Sequence, residues 1–290
     1  TSVMRTATVP SPVVRASAQP SSSGARLRTG RRNQSRDARV KPGRSIGRLC
    51  REVDPRVFVP SRSGCWQLMP VAVSLLRMQT GSRVVLCRHG VTDFTASGRW
   101  DGRGGADPAL NAEGQAQARD LAARVGAFLG DAPEVRVISS SLRRAKETAA
   151  PVAELFGTGV TPRRVWDELS FGEWDGRTGE ELRRDHPDET YRFWSDETFR
   201  ISGGESHVDL HSRVRPAFER LLGLNGTTVV VTHWGPIMSC ISLVLGIDLL
   251  PARRLNLAPA SMTSFMVTKQ GPQVEFINDL GARVTPPESI

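Results

Sequence analysis

Acidic residues are nearly missing from the first 80 positions of this 290-residue chain, which hold 15 Lys and Arg against 3 Asp and Glu. The rest holds 24 basic and 27 acidic residues, so the net charge of +9 belongs to the N-terminal segment and does not mark the remainder as a nucleic-acid binder. Cysteine is scarce as well. Cys50, Cys65, Cys87 and Cys240 form no C-x-x-C pair and no metal-ligand grouping with the histidines, which excludes a disulfide scaffold or a zinc module. Reduced core thiols in a reducing compartment fit that spacing, and neither metal nor cofactor is expected. No apolar run reaches the roughly 18 to 20 residues that span a bilayer. The chain is expected to be soluble and cytoplasmic, with no membrane partner.

The basic leader, residues 1 to 79, has hardly any periodic apolar positions from Thr1 to about Ser63. Ser, Arg, Pro and Gly dominate, too little surface can be buried to offset the entropy of ordering, and a disordered basic leader is expected. Three accounts of it stand open. Its Arg- and Ser-rich, acid-poor composition is that of an organelle transit peptide. The cluster Arg26-Leu27-Arg28-Thr29-Gly30-Arg31-Arg32 could hold nucleic-acid phosphates, although no aromatic residue is interleaved to stack on bases. The third, which we favour, is an upstream extension without function that ends near Met78.

From residue 80 onward, strand and helix patterns alternate. Val84 to Cys87 form a short apolar run that ends in Arg88, His89 and Gly90. A reactive side chain directly after a parallel strand faces the crevice where such sheets bind ligands. The loop Thr92 to Asn111 contains G-R-W-D-G-R-G-G and reads either as a backbone cradle for an anion or as a plain flexible loop. Asn111 caps a helix of about Ala112 to Leu129, with Ala118, Leu121, Ala122, Val125, Phe128 and Leu129 on one stripe. Val135 to Ile138 give a second strand, ending in Ser139, Ser140 and Ser141. Arg143, Arg144 and Lys146 open the next helix against its dipole, so an anion must compensate, either Glu147 or a bound phosphate.

Val160 to Val165 give a third strand with a proline near its centre, as on a sheet edge. Of the loop acids Asp167, Glu168, Glu173 and Asp175, only spatial position can promote one to chemistry. Polar helical stretches at about Thr178 to Asp185 and Glu189 to Glu197 could form a cover carrying Tyr191 and Trp194. Ser206 and Asp209 suit a capping box. His207 and His211, four apart on that helix, are expected at the surface rather than on a metal. Thr227 to Thr232 is a valine-rich strand ending in His233, with Pro236 opening the next helix. Ser264 to Thr268 and Val274 to Ile277 form a hairpin-like pair, and residues 281 to 290 a polar tail.

This alternation predicts one three-layer α/β/α sandwich with a mostly parallel central sheet over residues 80 to 280. Two arginines and two imidazoles at one sheet edge suit an anion, and tetrahedral phosphate matches the arginine fork. A neutral imidazole can attack phosphorus in line while a carboxylic acid protonates the leaving oxygen.

Four separated motifs, R-H-G-V-T, S-S-S-L-R-R-A-K-E-T-A, D-E-L-S-F-G-E-W-D-G and V-V-V-T-H, resemble in order those of the histidine phosphatase superfamily, from about Arg83 to Asp279. The loop at 98 to 105 resembles its acid-phosphatase and α-ribazole-phosphatase branches. The resemblance implies a phosphoglycerate-mutase-like fold, with His89 as nucleophile, Arg88, Arg144 and His233 holding the phosphoryl group, and Glu168 as proton donor. Two positions depart from the pattern. Thr95 stands where an asparagine often binds phosphate, and Trp234 stands where a glycine is usual, so that a bulky indole reshapes the pocket. The implied activity is hydrolysis of a small phosphorylated metabolite through a phosphohistidine. Alternatives are a cofactor-dependent phosphoglycerate mutase, or a catalytically weak phospholigand- or nucleic-acid-binding protein that uses the leader. Only 34 residues separate Glu168 from Gly203, little for an enclosing segment, which favours hydrolysis. The oligomeric state is left open, a homodimer included.

Overall fold

The computed structural model describes residues 80–132 and 134–281, together with two short strands, β1 (Val57–Pro60) and β2 (Trp66–Met69). β1 and β2 pair antiparallel, Val57 opposite Met69. The rest of the leader, with Cys50 and Cys65, and the expected polar tail after residue 281 lie outside the described residues.

The main unit runs in chain order through β3 (Arg83–Arg88), α1 (Asp93–Ala96), α2 (Ala112–Leu129), β4 (Val135–Ser139), α3 (Arg143–Leu155), β5 (Val160–Pro162), α4 (Gly179–Asp185) and α5 (Pro187–Ser195). It continues with α6 (His207–Leu222), β6 (Thr227–Thr232), α7 (Trp234–Leu245), α8 (Leu249–Ala252), β7 (Met262–Thr268) and β8 (Gly271–Asp279). Six strands form one sheet in the order β5-β4-β6-β3-β7-β8. The first four are mutually parallel, and β7 and β8 add an antiparallel edge. β5 stops at Pro162, short of the expected Val165, because proline cannot donate to a ladder and Arg164–Trp166 turn into a 3-10 segment.

Alternate residues of β3 supply two cores. Val84 and Leu86 pack with α6 and α7 residues such as Leu210, Phe218, Ile237 and Ile241. Val85 and Cys87 pack with Leu121 and Val125 of α2 and Ala149 and Val152 of α3. Helices therefore cover both faces, the arrangement that a parallel sheet of continuous apolar strands requires. Cys87 and Cys240 are buried free thiols, and burial pushes the Cys87 thiol up to about 12.

The parallel register aligns the chemistry. Arg88 of β3 stands opposite Thr232 of β6, and Ser139 of β4 opposite Val231, so His89, His233 and the serine run leave the sheet at one edge. The turn after β3 rests on the first turn of α2, where a Cβ on Gly114 would lie 2.0 Å from the Val91 carbonyl oxygen. Only glycine allows that approach. Among the described residues, no helix is long and apolar enough to cross a membrane.

Candidate active site

His89 is held as a defined tautomer. Its Nδ1 lies 2.7 Å from the Gly90 carbonyl oxygen, which can only accept, so Nδ1 carries the proton and Nε2 keeps the lone pair. Nε2 accepts from Arg144 Nε at 3.3 Å. Burial, then the charges of Arg144 and Arg88, hold the imidazole well below its ordinary pKa, so it is neutral at physiological pH. The supporting backbone is tied to α3: Gly90 N donates to Thr148 Oγ, which donates to the Arg144 carbonyl. Thr148, within the K-E-T-A run, was not singled out from sequence.

Adjacent arginines of α3 part company. Arg143 is exposed and pairs with Glu147 at 2.7 Å. Arg144 is buried and reaches Asp101, with Nη1 2.5 Å from the carboxylate and Nη2 2.8 Å from the carbonyl oxygen. Of the compensating anions expected for this helix, Glu147 serves Arg143, while Arg144 is met by Asp101, an acid the helix pattern does not point to. Asp101 belongs to the glycine-rich loop, whose sequence signal was read from its glycines alone. Arg88 donates through Nη1 to the Leu257 carbonyl, and its buried Nε has no protein acceptor.

The imidazoles of His89 and His233 stand 5.0 Å apart between ring centroids. His233 is fully buried and does not itself line the crevice. Its Nε2 meets Ser140 Oγ at 2.8 Å, and that hydroxyl donates to Asp167 Oδ1 at 2.8 Å, so Nε2 is the donor. Asp167 also accepts from the Ser141 backbone and hydroxyl. His233 Nδ1 is buried without a partner. Burial and the nearby arginines keep this ring uncharged, and an anion arriving at Nδ1 would favour the imidazolium, whose N–H could then donate to it.

Of the four loop acids, Glu168 alone lines the crevice. It accepts from Leu169 N at 2.9 Å and from Gly235 N at 3.2 Å. Burial raises its pKa above the usual carboxylate value, against the pull of those N–H groups and of Arg144 and Arg88. A Cβ on Gly235 would lie 2.4 Å from Glu168 Oε1 and 2.8 Å from Leu210 Cδ2. Gly235→Ala is expected to displace the carboxylate and cost about 1–3 kcal/mol of stability, by analogy with overpacked cores; a melt unchanged from the parent protein would contradict the contact.

A crevice of about 380 Å³ joins these groups, within the range of small-molecule sites. Arg88, His89, Arg144 and Glu168 line it together with Thr95 and Trp234. Thr95 Oγ lies 3.1 Å from Thr92 Oγ at the start of α1, and the Trp234 indole donates to the Leu255 carbonyl at 3.1 Å. α5 supplies the expected cover through Phe193 and Trp194. His207, expected at the surface, is buried against Phe193 instead, with ring centroids 4.7 Å apart, because it opens α6 beneath that cover. Among the described residues, no group of three or more His, Cys, Asp or Glu has the geometry to hold a metal. The assembly offers a lone-pair nitrogen, two guanidinium groups and a carboxyl group biased toward its acid form around one small space.

The chain is similar to several proteins named as phosphatases. The bifunctional protein Rv2228c of Mycobacterium tuberculosis is 33% identical over 206 residues, covering 70% of this chain and 55% of its own length, so the chain spans about half of that relative. Phosphoserine phosphatase 1 of Hydrogenobacter thermophilus is 32% identical over 171 residues, covering 58% of this chain and 78% of that protein. A mycobacterial glucosyl-3-phosphoglycerate phosphatase solved with VO3 superposes with a TM-score of 0.59 at 28% identity, over 68% of this chain and 98% of its own. The family model for the histidine phosphatase superfamily (branch 1) matches residues 84–280, from the second residue of β3 to just beyond β8. The α/β unit that carries the crevice is thus matched almost from end to end, and the chain belongs to the histidine phosphatase superfamily.

Proposed function

We propose that the chain hydrolyses small phosphomonoesters through a phosphohistidine formed on His89. The observation that carries this reading is the fixed tautomer of His89, with Nδ1–H on Gly90 and the Nε2 lone pair beside Arg144 in a crevice that also holds Glu168. Nε2 attacks phosphorus as the bond to the ester oxygen breaks, and Glu168 gives its proton to the departing alcohol. Arg88, Arg144 and a protonated His233 stabilise the equatorial oxygens. Arg144 Nε–H, now on His89 Nε2, turns to a phosphoryl oxygen. The Glu168 carboxylate then takes a proton from water, whose oxygen attacks phosphorus while the P–N bond breaks. Inorganic phosphate leaves, with His89 neutral and Glu168 protonated again.

The substrate class is a small phosphorylated metabolite, in keeping with the crevice volume and with the names of the two phosphatase relatives. Hydrolysis is favoured over mutase chemistry by the short 34-residue stretch from Glu168 to Gly203. The test is a phosphate-release assay over p-nitrophenyl phosphate and a panel of phosphorylated metabolites, with an acid-labile phosphoprotein sought on rapid quenching. Release of inorganic phosphate with a transient phosphoprotein is expected. Transfer between hydroxyls of 3-phosphoglycerate without phosphate release would replace this reading with mutase activity.

A further inference from the structure

Arg253, directly after α8, is buried to 7% exposure, yet none of its Nε, Nη1 and Nη2 atoms has an acceptor. The guanidinium lies over the rings of Phe193 at 4.8 Å and Trp194 at 4.5 Å. Burial draws its pKa down to about 10, with Glu197 opposing from outside ion-pair range. Cation–π contact returns only part of what a buried, unpaired cation loses on leaving water. His207 has a matching deficit. It lines the crevice at 2% exposure, its Nδ1 is buried without a partner, and it packs on the same Phe193 ring. Unpaired polar groups at such burial are rare without a ligand, water or functional reason.

These groups are tied to the catalytic end by a short segment. The chain leaving Arg253 gives the Leu255 carbonyl to the Trp234 indole and the Leu257 carbonyl to Arg88, and Asn256 and Leu257 line the crevice. Arg253 and Leu257 are four residue steps apart on this segment, at most roughly 14 Å between their Cα atoms when fully extended. Phe193 and Trp194 line the crevice, and the guanidinium lies over both rings, with Trp194 about half exposed on the last turn of α5.

We propose that Arg253 and His207 form a second anion subsite under the α5 cover, which selects phosphomonoesters whose leaving group carries a further carboxylate or phosphate. This rests on the phosphatase reading above. Such a substrate would supply the missing acceptors, and the guanidinium fork suits either anion.

The test compares kcat/KM for glycerol 3-phosphate, 3-phosphoglycerate and glycerol 1,3-bisphosphate, which keep the ester and change the distal group from hydroxyl to carboxylate to phosphate. The wild-type protein is expected to prefer one charged ester over glycerol 3-phosphate, with the gain in KM, and which one identifies the anion. Arg253→Met should reduce that preference about 30-fold or more, as expected for truncating a buried charge partner. Arg253→Lys should retain part of it. If Arg253→Met does not fold, His207→Gln should lower the same ratio. An unchanged ratio in the folded variants, or equal loss toward all three esters, overturns the subsite. Wild-type turnover of p-nitrophenyl phosphate with no preference for either charged ester overturns the subsite and leaves the phosphatase reading intact. A wild-type protein inert toward every ester overturns both.

Discussion

Alanine at position 89 should remove phosphoryl transfer, lowering phosphate release by roughly 10⁵-fold or more, because covalent catalysis has no substitute for its nucleophile. The fold should survive. The imidazole's hydrogen bonds are confined to the Gly90 carbonyl and Arg144, and the Gly90 backbone keeps its own tie to Thr148. Arg144 also keeps both contacts to Asp101. A thermal melt near that of the parent protein, no acid-labile phosphoprotein and no phosphate release above background are the joint expectation. Phosphate release at the parent rate in a folded His89→Ala protein would end the proposed mechanism. The pH profile of the parent is a second check. Protonation of His89 removes the lone pair, and its pKa lies well below 6.5. The fall in rate on the acid side therefore belongs below the ordinary histidine range.

Glu168→Gln should separate substrates by leaving group. The amide retains an oxygen for the Leu169 and Gly235 N–H groups, so the loop should hold, but it has no proton to give. Alkyl phosphates, whose alkoxide leaves poorly, should slow by about 10²–10⁴-fold, whereas p-nitrophenyl phosphate, with a stabilised phenolate, should slow by less than about tenfold. The pH dependence carries the same signature with opposite sign to that of His89. Glu168 must be protonated to act, and its pKa is raised from 4.5 by burial. The acid form therefore persists above the ordinary carboxylate range, and kcat/KM for alkyl esters should fall on the alkaline side as the proton is lost. That alkaline fall should vanish in Glu168→Gln. Equal losses toward both ester types would remove Glu168 from the acid role.

Much of this architecture is legible in one dimension because it follows from short-range periodicity. Four-residue apolar runs, helical stripes and capping residues place β3, α2, β4, α6, β6 and the β7–β8 pair close to where they occur. Parallel strands then bring Arg88, His89 and His233 to one edge, since every parallel strand ends there. The cover was legible as two polar helices with aromatic residues, and α4 and α5 begin and end within about two residues of that reading, as element boundaries usually do.

What the chain alone determined was the alternating α/β plan and the residue types at its strand ends, because hydrophobic period and turn chemistry are local properties. Tertiary structure decided which of those residues work together. Successive helix positions point about 100° apart, so Arg143 and Arg144 must face different surroundings, yet only the packing of α3 shows that Arg144 turns inward to His89 and Asp101. The path of a loop, not any period, carries Asp101 to Arg144 and Asp167 to the serines beside His233. Burial of His207 and Arg253 depends on how α5 lies across α6 and α8, a long-range arrangement that leaves no mark on the spacing of the residues themselves.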